Sequence, residues 1–235
     1  MNSLESQGPT GPAAARGERR RRAPAAALRR TGWIAMIVLA AATALITSRY
    51  LTLDPDTFLT EQRAVYLAHL LPLTLHVGGG VLAILLGPWQ FLPRLRARRP
   101  VVHRVAGRGY LVAALVTGAA GLFLVPDSMV GPIAPIGFAV LDILLLATSA
   151  AGFAAARRGA IARHRAWMTR SYGLIFAAAT LRVWLTVMPA VGVPFEQAYA
   201  TAAWTSWLIN LLVAEHVIAR GPGPRPGRDR SGTGA

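Results

Sequence analysis
The chain has no cysteine, no lysine and only ten acidic residues, against 25 arginines. Without cysteine there is no disulfide, no thiolate nucleophile and no thiolate-held iron–sulfur cluster. Without lysine there is no Schiff-base chemistry and no Walker-type phosphate lysine. Hydrolytic signatures are missing too: no nucleophile elbow, no HExxH and no carboxylate dyad. The shortage of acid leaves a net charge of +15. In a soluble protein that surplus would point to nucleic acid. Here the arginines flank apolar runs, so a nucleic-acid partner is not expected.

What is present is apolar: 54% of residues are hydrophobic, and mean hydropathy is +0.43. At about 1.5 Å per helical residue, about 20 apolar residues cross a hydrocarbon core of roughly 30 Å. The runs predict an all-α, polytopic membrane bundle of six helices, at about 32–51, 64–92, 103–125, 133–156, 168–191 and 197–218. Residues 1–30 and 219–235, rich in Ala, Pro, Gly and Arg, read as disordered tails. The basic N-terminus resembles a signal-peptide n-region. The run that follows leads into SRYLTLDPDT with no small-residue cleavage pattern, so an uncleaved first span is expected.

Arginine placement sets the orientation. Seven lie in the N-terminal tail, six around the second-to-third loop, five around the fourth-to-fifth loop and four at the C-terminus. Arg49 and Arg63 face the other side, with Asp54, Asp56, Glu61, Asp127 and Glu196. Six spans with both termini cytoplasmic put 22 of the 25 arginines on one face. The implied location is the cytoplasmic membrane of a bacterium, with the lipid bilayer as first partner.

The chain is organised around His69–Tyr110, HLLPLTLHVGGGVLAILLGPWQFLPRLRARRPVVHRVAGRGY. His69 and His76, seven apart, share a helical face. Gly79, Gly80, Ala83 and Gly87 continue that face as a small-residue groove. Pro72 removes a backbone donor, so a bend near His69 is expected. One reading is a helix–helix seam with hydrogen-bonded histidines; the other is a ligand role. A faint repeat follows: His103-Arg104…Arg108…Tyr110 and His164-Arg165…Arg170…Tyr172. It suggests two related hairpins, or two ordinary basic flanks.

Ionisable groups inside a bilayer are costly and are functional candidates by default. Counting inward from helix ends puts Asp142, Arg182 and His76 roughly 14, 14 and 17 Å deep. Thr205, Ser206 and Asn210 fall at comparable or slightly greater depth. Asp142 and Arg182 either neutralise each other, or Arg182 receives an anionic group such as a carboxylate, a quinone oxygen or a haem propionate. His103, His164, Glu215, His216 and Gln90 lie nearer the cytoplasmic interface, where histidines on separate helices suit a b-type haem iron. Trp89, Trp167, Trp204 and Trp207 read as interface aromatics.

LGPWQFLPRLRARRPVVHRVAGRGYL, ARHRAWMTRSYGLIFAAATLRVWL and NLLVAE resemble the bacterial membrane-protein family called domain of unknown function 2306, over about residues 55–217. The motif positions that match are His76, Gly79, Gly80, Gln90, His103, Arg104, Gly107, Arg108, Tyr110, His164, Arg165, Trp167, Met168, Arg170, Tyr172, Arg182, Asn210 and Glu215. The resemblance assigns no activity, and it does not include an acid at 142. The pairs His76/Gly80 and His103/Gly107 also look like cytochrome b561-type proteins. That likeness implies haem ligands on facing helices, which the cytoplasmic side alone could supply. Three functions follow as expectations. The first is a redox protein with haem b or quinone, with His103, His164 and His76 as candidate ligands. The second is a small-molecule or ion carrier around His76, Arg182 and Asn210. The third is a structural subunit packed against other membrane proteins.

Overall fold
In a computed structural model, residues 12–127 and 131–220 are described. Every regular element among them is helical. The chain divides into two compact units, residues 1–39 and 40–235. The first holds the beginning of α1 (Pro12–Ser48). The second holds the end of α1, then α2 (Arg63–Ala68), α3 (Leu70–Gln90), α4 (Pro93–Arg98), α5 (Pro100–Leu124), α6 (Ile133–Arg157), α7 (Ile161–Ile175), α8 (Ala177–Ala190) and α9 (Phe195–Ala219).

Six stretches are long and apolar enough to cross a membrane: Arg30–Thr52, Leu70–Gln90, Pro100–Leu124, Ile133–Arg157, Ile161–Ala190 and Phe195–Ala219. Their outward faces are apolar too: Leu45, Leu71, Val112 and Leu212 stand exposed. In water that would be a liability, whereas against lipid tails it is the favourable arrangement.

The expected helix 64–92 is two helices. His69 takes φ −129°, ψ 47° and ends α2 while opening α3. Pro72 is the cause: its ring would collide with the carbonyl four residues earlier, at Ala68. The third and fifth spans start earlier than expected, at Pro100 and Ile161. Proline is at home in a first helical turn, and arginine is a good helix former. The arginine-rich stretches are therefore largely helix rather than loop. Likewise α1 begins at Pro12, inside the segment read as a tail. Residues 1–11, the PDSMVGP turn at 128–130 and the tail from Gly221 lie outside the described residues.

In the second unit α3 packs on α5, α6 on α7, and α8 on α9, while α9 also touches α6 and α7. The α3/α5 seam is built from small residues. A Cβ on Gly79 would stand 2.8 Å from the Ala113 carbonyl oxygen and 3.1 Å from Thr117. Only glycine permits that backbone approach, as the small-residue groove anticipated.

Candidate functional site
A half-enclosed cavity of about 260 Å³ opens inside the second unit. His76 from α3, Asp142 from α6, Arg182 from α8 and Ser206 from α9 all line it. The packing of the four helices turns all four side chains toward one space.

His76 Nδ1 lies 2.9 Å from the Thr117 carbonyl oxygen. A carbonyl only accepts, so Nδ1 carries the proton, and Nε2 of the neutral ring is left with the lone pair. The Thr117 hydroxyl donates in turn to the His76 carbonyl. This double tie fixes the ring in the α3/α5 seam at the cavity wall. Asp142 is buried and faces the same spot on α5. The place a Cβ would occupy on Gly121 is 2.9 Å from His76 Nδ1 and 2.9 Å from Asp142 Cγ. Glycine there lets carboxyl and imidazole approach each other.

Arg182 turns its guanidinium back along α8, where Nη1 donates to the Ala178 carbonyl at 2.7 Å. It does not pair with Asp142. Among the described residues the ion pairs are Arg63–Asp56 and Arg170–Glu215. Asp142 and Arg182 instead line one cavity without forming an ion pair.

One end of the cavity is aromatic. Tyr50, Phe58 and Tyr66 form a triad with ring centroids 5.7 to 5.9 Å apart. Tyr50 and Tyr66 stand close enough to Arg182 to act on its charge. Burial pushes the Tyr66 phenol up from its ordinary range, so it remains a hydroxyl donor. Gln62, from the turn before α2, faces Tyr199. It is 2% exposed, and its Nε2 has no hydrogen-bond partner. Ser206 Oγ is likewise buried without a partner. Sequence reasoning missed Tyr50, Gln62, Tyr66, Thr117 and Tyr199. The available signal was three tyrosines at the outer ends of three different spans.

The other candidates go elsewhere. Asn210 bridges the junction of α7 and α8, donating to the Gly173 carbonyl at 3.1 Å and accepting from the Thr180 hydroxyl at 3.0 Å. Thr205 bonds its own helix at Thr201. His69 packs edge-on against Phe123, with centroids 5.5 Å apart. His164 Nδ1 donates to the Gly152 carbonyl at 2.9 Å. His103 Nδ1 is buried without a partner; Arg96 and His164 are near enough to act on it. Partial burial and the neighbouring Arg165 pull the Arg96 guanidinium down. Gln90 faces Gly107 of α5, its Oε1 3.3 Å from the Cβ position there. Glu215 accepts from Arg170 Nε and Nη2 at 2.5 and 2.9 Å, and that guanidinium lies 4.7 Å over the Trp167 ring. His216 is exposed near the end of α9. Trp207 is buried and bonded to the Ala203 carbonyl, so it is not an interface residue.

The repeated motif meets at its tyrosines. The Tyr110 and Tyr172 rings lie 6.5 Å apart. The Tyr110 hydroxyl reaches Ser171 at 2.8 Å, and Ser171 reaches Ser149 at 2.9 Å. This closed hydroxyl chain ties α5, α7 and α6 together. It is structural, as all three groups are buried and partnered.

A family model described as a predicted membrane protein, DUF2306, matches residues 73–218. That range contains His76, Asp142, Arg182 and Ser206. No curated protein and no solved structure matches. The cytochrome b561 likeness finds no support in these comparisons.

Proposed function
The chain belongs to the DUF2306 family of predicted membrane proteins, and we propose that it is a carrier holding a small organic molecule within the bilayer. The observation that carries this reading is the cavity itself. Histidine, aspartate and arginine from three spans line one space of about 260 Å³ and do not pair off with each other. Ionisable side chains are costly inside a bilayer. Among the described residues the Arg182 guanidinium bonds only the Ala178 carbonyl, and a bound molecule that supplies a further acceptor accounts for its place in the cavity. The arginine asymmetry supports an orientation with both termini cytoplasmic in a bacterial inner membrane. The aromatic end of the cavity then faces outward. We favour this over haem or quinone redox chemistry because His103 and His164 lie outside the cavity lining.

The test is the small-molecule content of protein purified into lipid nanodiscs, read by mass spectrometry after denaturation. The wild type should release a compound in stoichiometric amount. Val81→Trp, which fills the cavity from α3, should release none while keeping its helical circular dichroism. Equal release from both proteins would sink the reading. A haem Soret band in the oxidised and dithionite-reduced spectra would replace it with the redox one.

A further inference from the structure
Three groups in the cavity lining, on Arg182, Gln62 and Ser206, can donate hydrogen bonds that the described residues do not accept. Arg182 has one N–H on the Ala178 carbonyl, and the rest of its fork meets no acceptor among the described residues. Gln62 Nε2 is a donor without an acceptor, on a side chain 2% exposed. Ser206 Oγ–H is free, on a side chain 1% exposed. Tyr50 and Tyr66 present hydroxyls beside the same guanidinium. A site that offers donors and one fixed positive charge is complementary to a group that only accepts and is negative. Much of the remaining wall is apolar: Leu73, Val77, Phe138, Leu145 and Leu181 face the same space.

Resting on the carrier reading above, we infer that the molecule held is a small organic oxyanion, a monocarboxylate or its like. Its acid group sits on Arg182, Gln62 and Ser206, and its apolar body lies against the leucine and valine wall. A guanidinium–carboxylate fork in a dry site is among the stronger hydrogen-bonded pairs, and it is geometrically selective.

Three probes of one shape separate the possibilities: benzoate, benzamide and benzylamine, titrated against the full-length protein in nanodiscs of neutral lipid. Benzoate should bind at least about tenfold more tightly than either of the others. Arg182→Gln should abolish that preference, and Arg182→Lys should restore part of it, which a loss of folding would not do. Gln62→Leu should weaken benzoate and leave benzamide within error. If all three probes bind alike, and Val81→Trp excludes all of them, the carrier cavity stands and the anion assignment falls. The same holds if benzylamine is preferred and Asp142→Asn removes it. If none binds the wild-type protein at millimolar concentration, both fall together.

Discussion
A methyl group at residue 121 would have nowhere to go. It would overlap the Asp142 carboxylate and stand 2.9 Å from His76 Nδ1. Gly121→Ala should therefore push the carboxyl and imidazole apart at a destabilisation of about 1–3 kcal/mol, as over-packing in a tight core does. A lowered thermal midpoint in detergent with helicity retained would check it; an unchanged midpoint would mean the two groups are not held together there. At this scale the sequence exposed charges but not hydroxyls. His76, Asp142 and Arg182 were legible because an ionisable residue in an apolar run has to be explained. Thr74, Thr148, Thr169, Thr186 and Thr205 each bond the carbonyl four residues back. Such self-satisfied hydroxyls are the ordinary case in apolar helices. Ser171 and Ser206 look the same in sequence, and only packing reveals that one completes a chain and the other is left unpaired. Ser171→Ala should strand the hydroxyls of Tyr110 and Ser149 and cost about 0.5–2 kcal/mol. Ser206→Ala should leave the stability of the ligand-free protein almost unchanged, because no bond is lost. Thermal midpoints of the two alanine variants, compared side by side, test the contrast.

Among the helices, the interruptions are where chemistry overrode pattern. The break at His69 was anticipated from Pro72, because proline acts through local sterics that a sequence displays. The α7/α8 junction at Phe176 has no such marker, and an unbroken fifth helix was expected. Its explanation lies on another element: Asn210 of α9 spans the junction, holding Gly173 on one side and Thr180 on the other. Asn210→Leu would leave both groups without their partner in an apolar setting. A loss of about 1–2 kcal/mol is expected, with faster amide exchange confined to residues around 173–180. Exchange that stays slow there would show that the junction is held by packing alone. Glu215 belongs to the same helix and ties α9 to Arg170 of α7. That pair is half exposed, so Glu215→Gln should cost well under about 1 kcal/mol in stability.

Across the whole chain, the expected orientation depends on counts rather than contacts. Arg94 through Arg99 and Arg157 through Arg165 fall at one set of helix ends, while Asp54, Asp56, Glu61 and Glu196 fall at the other. The positive-inside rule predicts that the first set is cytoplasmic. The absence of cysteine allows a clean test, since any thiol introduced is the sole reactive one. Four exposed positions serve: Asp56 and Glu196 on the acidic side, Arg98 and Arg158 on the basic side. In intact cells a membrane-impermeant maleimide should label Asp56→Cys and Glu196→Cys, and should reach Arg98→Cys and Arg158→Cys only after the membrane is opened. Each substitution of a basic residue removes one of 22 arginines on its face, too few to invert the protein. The reverse pattern would overturn the assignment and turn the aromatic mouth of the cavity toward the cytoplasm. Labelling of one acidic and one basic position in intact cells would mean an even number of spans between them. Because the cavity mouth lies at the acidic end, beside Tyr50 and Tyr66, the labelling that fixes the topology also fixes the side from which Arg182 first meets its ligand.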